Sequence, residues 1–435
     1  MSRAPYARPV LAGLTALALA APGAAAAQWS AQSEDRSWGL DVSLILEGIY
    51  YNEMTRGNQD PAGFDDGHDH GHSHGHDHGH DHGFDDGFNL GHSELVFEAN
   101  LGDLFDGVLM VGFDEDHVEV EEAYLTTRAL PGGFQIKAGK FLSDIGYINS
   151  RHGHDWDFVD RPLVNEYIFG DHGLQETGVQ ATWVAPTEAY TQLGVELLQG
   201  ETSGIANYEG SQSALNGQER ILRDRSGPRL VTAFAKFGPD LGPDHAAQFG
   251  VSGGYARSYQ VTDEHSTRFE DWDGSAWFAG LDAVYKYSAG RAYGHGDWRL
   301  QGEYFYREID VDRRDVNFEA DGNGPVGFVR NEQSFKNKQD GIYVQGVYGF
   351  APRWEAGLRA EALGLTNDVG RGDGDSFGTS YRHSAQVTFR PVEPVFLRAQ
   401  LSQNDFIDDD GHRDRGLEFM LQLNVALGAH GAHRF

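Results

Sequence analysis

The 435-residue sequence contains no cysteine, so neither disulfide bonds nor thiolate metal ligands contribute to its fold. Basic residues are also scarce: 34 lysines and arginines stand against 66 acidic residues, which gives a formal net charge of -32. So acidic a chain offers no electrostatic basis for binding nucleic acid. Beyond the first 27 residues there is no apolar run of the length that a transmembrane helix needs. These absences exclude a disulfide-stabilised domain and a helical membrane protein.

The first 27 residues have the pattern of a secretory signal peptide. Arg3 and Arg8 precede an apolar stretch over residues 10–21, and Ala25-Ala26-Ala27 supplies a small-residue cleavage site. A single membrane anchor is the alternative, but the apolar stretch is short and ends in Pro-Gly. We therefore predict that residues 28–435 form an exported mature chain.

Residues 64–88 read FDDGHDHGHSHGHDHGHDHGFDDGF and hold eight of the 20 histidines of the chain. Because residues 65–83 include no apolar side chain, the segment predicts an external loop rather than a packed element. Imidazole is the commonest metal ligand in proteins, and the interleaved aspartates raise the local cation concentration. A solvated spacer and a pH sensor are the alternatives. We predict transient binding of zinc, with copper and nickel binding at least as well in vitro. The predicted ligands are His68, His70, His72, His74, His76, His78, His80 and His82.

Most of the remaining chain alternates apolar and polar residues with a period of two, as strands with two different faces do. Residues 38–46 place Trp, Leu, Val, Leu and Leu at even positions, and residues 417–427 place six apolar residues at odd positions. A soluble sandwich and a membrane barrel both show this pattern, with the apolar face inward or outward respectively. Aromatic residues near the segment ends favour the barrel. The sequence therefore predicts an all-β fold, a transmembrane antiparallel β-barrel of about 16 strands.

The connections between these segments alternate between short and long. The short ones are tight-turn sequences at 102–106, 130–133, 185–187, 351–353 and 391–394. The long ones are polar and cover roughly 52–87, 143–174, 201–227, 261–275, 309–338, 366–377 and 405–415. Long external loops and short periplasmic turns produce this rhythm in barrels of the bacterial outer membrane, whereas a soluble sandwich gives no reason for it.

The long connection 143–174 is the second candidate metal site. His152, His154 and Asp155 group nitrogen and oxygen ligands in four positions, and His172 can supply a third imidazole. The same connection carries several apolar and aromatic residues, which predict an ordered loop packed against the inner wall of a barrel. An ordinary structured loop with polar decoration is the alternative.

Polar positions of the strands define the predicted pore wall. Mixed charges at these positions either produce a transverse field across a water-filled channel or pair with one another and stiffen the barrel interior. The predicted pore-lining residues are Glu47, Arg299, Glu303, Arg307, Glu355, Arg359, Glu361 and Arg398.

Five strings between residues 121 and 183 carry a family resemblance: EEAYLTTR, GGFQIKAGKFLSDIGYIN, HGHDWDF, DRP and LQETGVQATW. They resemble the bacterial outer-membrane porin superfamily that includes the phosphate-selective porins, in a branch associated with zinc-regulated outer-membrane proteins. The resemblance implies that loop 143–174 folds into the lumen and narrows it, and that the protein forms a homotrimer. The terminal aromatic residue, Phe435, resembles the signal by which barrel assembly machinery recognises outer-membrane proteins.

The function expected from these features is that of a passive porin with a water-filled channel. Phosphate-type porins need a basic lumen, but acidic residues outnumber basic ones about two to one here, so cation preference is the better inference. The histidine-rich external loop 64–88 would capture divalent metal, zinc first, for uptake. Metal ions, small solutes and outer-membrane lipids are the expected partners.

Two other classes of function are a surface metal-binding protein and an enzyme. A non-transport surface protein that binds metal as a buffer, adhesin or sensor on a barrel scaffold is the alternative. No enzymatic activity is expected. The G-x-S-x-G match at 250–254 lies within a predicted strand, and the G-x-G-x-x-G match at 322–327 lies in a predicted external loop.

Overall fold

The computed structural model describes residues 29–32, 38–58, 60–64, 84–201, 204–265, 267–321, 324–370 and 375–428. The predicted signal peptide, the eight histidines from His68 to His82 and Phe435 lie outside the described residues. Within the described ranges, no helix has the length and apolarity needed to cross a bilayer.

The described chain is almost entirely β-structure. Its strands are β1 (Trp29–Gln32), β2 (Gly39–Thr55), β3 (Gly87–Leu90), β4 (Ser93–Leu101), β5 (Phe105–Phe113), β6 (Val118–Thr127), β7 (Phe134–Leu142), β8 (Gln175–Val184), β9 (Tyr190–Leu198), β10 (Leu230–Gly238), β11 (His245–His265), β12 (Arg268–Tyr287), β13 (Trp298–Asp321), β14 (Gly324–Ala351), β15 (Trp354–Val369), β16 (Asp375–Ser376), β17 (Ser380–Val392), β18 (Val395–Ile407) and β19 (Arg413–Gly428). Its helices are the α-helix α1 (Leu163–Phe169) and three 3₁₀ turns at Pro131–Gly133, Gly153–Asp155 and Ala292–Gly294.

Among the described residues, sixteen of these strands close into one antiparallel barrel. Each barrel strand pairs with the next along the chain, and β19 closes the barrel against β2 in a register that runs from Leu417 opposite Thr55 to Gly428 opposite Ser43. The three short strands extend this sheet, since β1 and β3 pair with β2 and β16 pairs with β15. The predicted fold class is confirmed.

The barrel is polar inside and apolar outside, which is the inverse of a soluble protein. Along β17 the buried positions include Arg382 and Gln386, whereas the exposed positions include Tyr381 and Val387. On β12, Leu281 is 59% exposed. An outward apolar band around a polar interior is the arrangement that lipid imposes on a closed sheet, because every backbone group is already paired.

Aromatic side chains form two belts around this band. At the end with the short turns, the ring centroids of Tyr285 and Trp298 lie 4.9 Å apart, and Trp354 stacks on Phe389 with a centroid distance of 4.6 Å. Toward the other end, Trp277 lies 5.3 Å from Tyr306. Such belts mark the two interfaces of a bilayer. Short turns face the periplasm in outer-membrane barrels, so the other end of this barrel faces outward.

The height of the external rim differs around the barrel. Strands β4 to β10 have only 9 or 10 residues each, whereas β11, β12, β13 and β14 have 21, 20, 24 and 28. The prediction that 261–275 and 309–338 are loops was therefore wrong. Nearly all of both segments lies in continuous paired strands that extend above the membrane, stabilised by cross-strand pairs such as Arg313–Glu270 at 2.9 Å. The low side of the rim lies over β4 to β10.

Candidate metal site in the barrel lumen

The connection between β7 and β8, residues 143–174, folds into the barrel; we call it the infolded loop. Its apolar residues, including those of α1, form a core with side chains of the wall. Phe169 packs edge-on against Phe278 and Phe305, with ring centroids 5.0 and 4.9 Å apart. The helix ends at Gly170, whose φ of +87° suits glycine better than other residues. The sequence thus encodes an apolar segment within a polar lumen.

Ion pairs attach the infolded loop to the opposite wall. Arg359 forms an ion pair with the Asp160 carboxylate at 2.6 Å, Arg382 donates to it at 2.9 Å, and both guanidinium groups are almost fully buried. Arg299 contacts Asp157 at 2.5 Å and Glu355 at 2.9 Å. These contacts bridge the loop to β13, β15 and β17, so the loop is held across the lumen.

The eight side chains predicted to line the pore all face the barrel interior, and six of them contact the infolded loop. Besides the arginines Arg299 and Arg359, the contacts are made by four residues. Glu303 accepts the Tyr147 amide, Arg307 donates to the Ile168 carbonyl at 3.2 Å, Glu361 accepts the Leu163 amide at 2.7 Å, and Arg398 donates to the Trp156 carbonyl at 2.8 Å. Glu355 pairs with Arg299, and Glu47 accepts a hydrogen bond from Gln422.

A group of histidines and glutamates lies between the infolded loop and the low side of the wall. Its members are His92, Glu94, Glu121, Glu122, His152 and His154, and we call it the carboxylate–histidine cluster. The Nδ1 atom of His152 lies 3.6 Å from Glu94 and 3.4 Å from Glu121, and its Nε2 lies 3.3 Å from Glu122. The rings of His152 and His154 are parallel, with centroids 6.0 Å apart.

A β-bulge explains how two consecutive glutamates enter the cluster. In the pairing of β5 with β6, Met110 lies opposite Glu122 and Val111 opposite Val120, so Glu121 is an extra residue on β6. Strict alternation would send Glu121 and Glu122 to opposite faces, but both are buried, with 3% and 8% exposure. Bulges redirect side chains in this way and are frequent beside functional sites.

The predicted loop ligands occupy two places. His152, His154 and Asp155 lie together, with His154 Nε2 3.7 Å from the Asp155 carboxylate. His172 is exposed at the end of the infolded loop, 3.8 Å from Glu119. Four members of the cluster are not among the ligands predicted from the sequence: His92, Glu94, Glu121 and Glu122. The adjacent acids in EVEEAY, which break the alternation of β6, were the available signal.

Charge holds the carboxylate–histidine cluster together. Burial by itself lowers the pKa of His152, but the surrounding Glu94, Glu121 and Glu122 carboxylates outweigh burial and raise that pKa well above its ordinary value. The same balance raises the pKa of His154 and of His92. Imidazolium–carboxylate pairs therefore balance the charge of the site, although the Glu94 Oε2 atom accepts no hydrogen bond. A divalent cation, which brings two charges to nitrogen and oxygen ligands, can take the place of those protons.

No family model matches the chain. An uncharacterized protein of Aquifex aeolicus (strain VF5) is 33% identical over 354 residues, which cover 80% of this chain and 70% of that protein. The two chains belong to one family. Membership in this family shows common ancestry. It does not indicate an activity, because the description of the Aquifex relative states none.

Solved structures place the fold of this family member among outer-membrane proteins. The outer-membrane channel DcaP of Acinetobacter baumannii superposes with a TM-score of 0.53 at 15% identity, over 91% of this chain and 99% of DcaP. OmpT, an outer-membrane protein of Vibrio cholerae, superposes at 0.50 with 11% identity, over 90% and 98%. An anion-selective porin from Comamonas acidovorans does so at 0.50 and 11%, over 90% and 100%. Together with its apolar exterior, the barrel makes this a multi-pass protein of the bacterial outer membrane.

Proposed function

We propose that the protein is a passive outer-membrane porin that favours cations and admits divalent metal ions, zinc first. One observation carries this proposal: carboxylates and imidazoles converge inside the barrel beside β4 and β6, which are among its shortest strands. Side chains of the types that bind divalent cations therefore face the lumen rather than the lipid, which supports the proposal.

Cation preference follows from the acidic lumen. Acidic rings select cations in channels, and acidic residues outnumber basic ones in the whole chain. The arginines of β13, β15, β17 and β18 are paired with acids or carbonyl groups of the infolded loop, whereas Glu94, Glu121 and Glu122 on the opposite side face histidines, which can release their protons when a cation arrives. We therefore assign the chain to the zinc-associated branch that its sequence resembles, rather than to a phosphate-selective one.

The external loop, the infolded loop and the C-terminal residue each have a role in the proposed channel. The histidine-rich loop 64–88 collects metal at the cell surface, and the infolded loop narrows the lumen. Small solutes share the channel, outer-membrane lipids surround it, and the barrel assembly machinery recognises Phe435. A homotrimer is the assembly that we expect, and we infer no enzymatic activity.

Planar-bilayer recording tests this proposal. The wild-type chain is compared with a full-length variant in which the eight histidines from His68 to His82 are serine, which we call the tract-silent variant. We expect cation-selective reversal potentials in a salt gradient for both, and a current that micromolar zinc reduces more strongly in the wild type. A reversal potential of the anion-selective sign would overturn the proposal.

The packed interior favours one alternative. Phe169, Phe278 and Phe305 and their neighbours fill part of the lumen with apolar side chains. If the infolded loop closes the channel, the protein is a surface metal-binding barrel that acts as a buffer, adhesin or sensor. The same recording separates the two functions, because this alternative predicts no conductance while zinc still binds.

A further inference from the structure

Three members of the carboxylate–histidine cluster have the spacing of ligands around one metal ion. One ligand atom from each of His92, Glu94 and Glu121 lies within 4.8 Å of the other two. Zinc binds imidazole nitrogen and carboxylate oxygen at about 2.0–2.2 Å, so small adjustments of three such side chains bring them around one ion. The three residues come from the turn before β4, from β4 itself and from the bulge in β6.

One carboxylate oxygen of Glu94 is buried without a hydrogen-bond donor, as an oxygen that binds a cation would be. This residue is 1% exposed, and its Oε2 atom accepts no hydrogen bond in the structure. Its other oxygen, Oε1, lies 3.2 Å from His154 Nδ1 and 3.6 Å from His152 Nδ1. A buried carboxylate oxygen without a donor is unfavourable, and few native side chains show one without a reason. Coordination of a metal ion would satisfy it.

We propose that His92, Glu94, Glu121 and His152 together bind one divalent transition-metal ion, and that the bound ion fastens the infolded loop to the low wall of the barrel. His154, in contact with Glu94, orients that carboxylate. The inference rests on the proposed function for the route by which ions reach the lumen, and it deepens that function by naming the site.

The ligand set selects the class of metal. Two imidazoles and two carboxylates suit zinc, cobalt and nickel, whereas calcium and magnesium prefer oxygen ligands alone and copper(I) prefers sulfur. The set is also graded in accessibility. The side chain of His92 is 40% exposed and those of His152 and Glu94 are 14% and 1% exposed, so an arriving ion meets an accessible imidazole before the buried carboxylate.

Cobalt(II) titration of the purified full-length protein in detergent tests the site, because the visible absorption of cobalt reports its ligands and geometry. The tract-silent variant serves as the background, so that the external histidines do not contribute. We expect one saturable cobalt ion per chain, which zinc displaces. Glu94→Gln and His152→Ala should each weaken binding by about ten-fold or more. Cobalt should also slow hydrogen exchange of the amides near His152, and Glu94→Gln should abolish this effect.

Matched variants on the same hairpin serve as controls. Glu119→Gln removes an exposed carboxylate two residues from Glu121, and His117→Ala removes an imidazole that is 81% exposed. Neither should change cobalt binding. His92→Ala, at the accessible edge of the site, is the loss-of-ligand variant least able to disturb folding, and circular dichroism verifies that each barrel is folded.

The outcomes separate this inference from the proposed function. Absence of saturable cobalt binding, or binding that Glu94→Gln, His152→Ala and His92→Ala leave unchanged, overturns the site even if the channel conducts cations. Saturable binding with the expected losses, in a protein that shows no conductance, retains the site and overturns the channel.

Discussion

Among the contacts between the infolded loop and the barrel wall, those of the Asp160 carboxylate should contribute most to the stability of the loop. Asp160 is 5% exposed and accepts hydrogen bonds from Arg382 and from Gln400, in addition to its ion pair with Arg359. Asp160→Ala leaves two buried guanidinium groups without this shared partner. We expect the loop to open more often while the barrel itself remains intact.

The magnitude follows from the charges that remain. Removing one partner of a buried ion pair costs about 3–5 kcal/mol. Glu361 still contacts Arg359 at 2.7 Å in the variant, so the lower end of that range applies. A change of about 3 kcal/mol corresponds to roughly two orders of magnitude in the opening equilibrium of the loop. Asp160→Asn, which keeps an acceptor but loses the charge, should lie between the variant and the wild type.

Hydrogen exchange measured by mass spectrometry on the protein in detergent micelles reports this opening, because protected amides exchange only when their segment opens. Peptides that cover the infolded loop should lose about two orders of magnitude of protection, whereas peptides of β18 should not change. Asp171→Ala, at an exposed position of the same loop, is the control and should have little effect.

A loop whose protection in Asp160→Ala stays within about three-fold of the wild type would refute the reasoning, since that is under 1 kcal/mol. The double variant Asp160→Ala/Arg382→Leu gives a second check. It removes one stranded guanidinium group along with its partner, so its cost should be smaller than the sum of the two single substitutions.

Three further predictions concern pH, the lipid face and the loop backbone. Burial alone raises the pKa of Asp157, but the Arg299 guanidinium group that pairs with this carboxylate holds its pKa below the ordinary value. The stabilising contribution of the Asp157 carboxylate is therefore complete above about pH 4 and is lost as pH falls through the lower folded-state pKa. Protection factors of the infolded loop should decrease over the same pH range, and Asp157→Asn should remove this pH dependence. Leu281→Arg on the lipid face should destabilise the barrel by about 2–4 kcal/mol in urea-dependent folding into vesicles, whereas Leu241→Arg in a periplasmic turn should cost less than about 1 kcal/mol. Gly146 has φ +57°, and an added Cβ would lie 2.9 Å from the Phe305 ring, so Gly146→Ala should raise hydrogen exchange of the infolded loop. Gly242 lies in the turn between β10 and β11 with φ +88° and open space around it, so Gly242→Ala measures how much backbone strain alone raises exchange of that turn. Equal increases of exchange in the two segments would contradict the steric argument.

Strand extent shows where sequence periodicity stops being informative. Within the membrane, alternation such as that of β17 is unambiguous, because lipid requires one apolar face. Above the membrane, residues such as Asp312 and Arg313 lie on paired strands with water available to both faces. No apolar face is then required, so a paired strand and a polar loop have the same composition.

The sequence by itself determined the class of fold. Alternation with a period of two and alternately short and long connections specify a closed barrel of the outer membrane, since each strand must satisfy the same lipid environment locally. The composition of loop 143–174 also indicated an ordered loop, because its apolar residues need a surface to cover.

Only the tertiary structure decided which residues meet inside the barrel. Glu94 and His154 are 60 positions apart in the chain and make their contact at 3.2 Å because the infolded loop crosses back toward β4. Glu121 joins them because a bulge breaks the alternation from which its direction would be inferred. Convergence of distant side chains depends on barrel closure and loop packing, which are properties of the whole chain. The adjacent acids of β6 indicate the bulge, but they do not indicate which side chains lie opposite it.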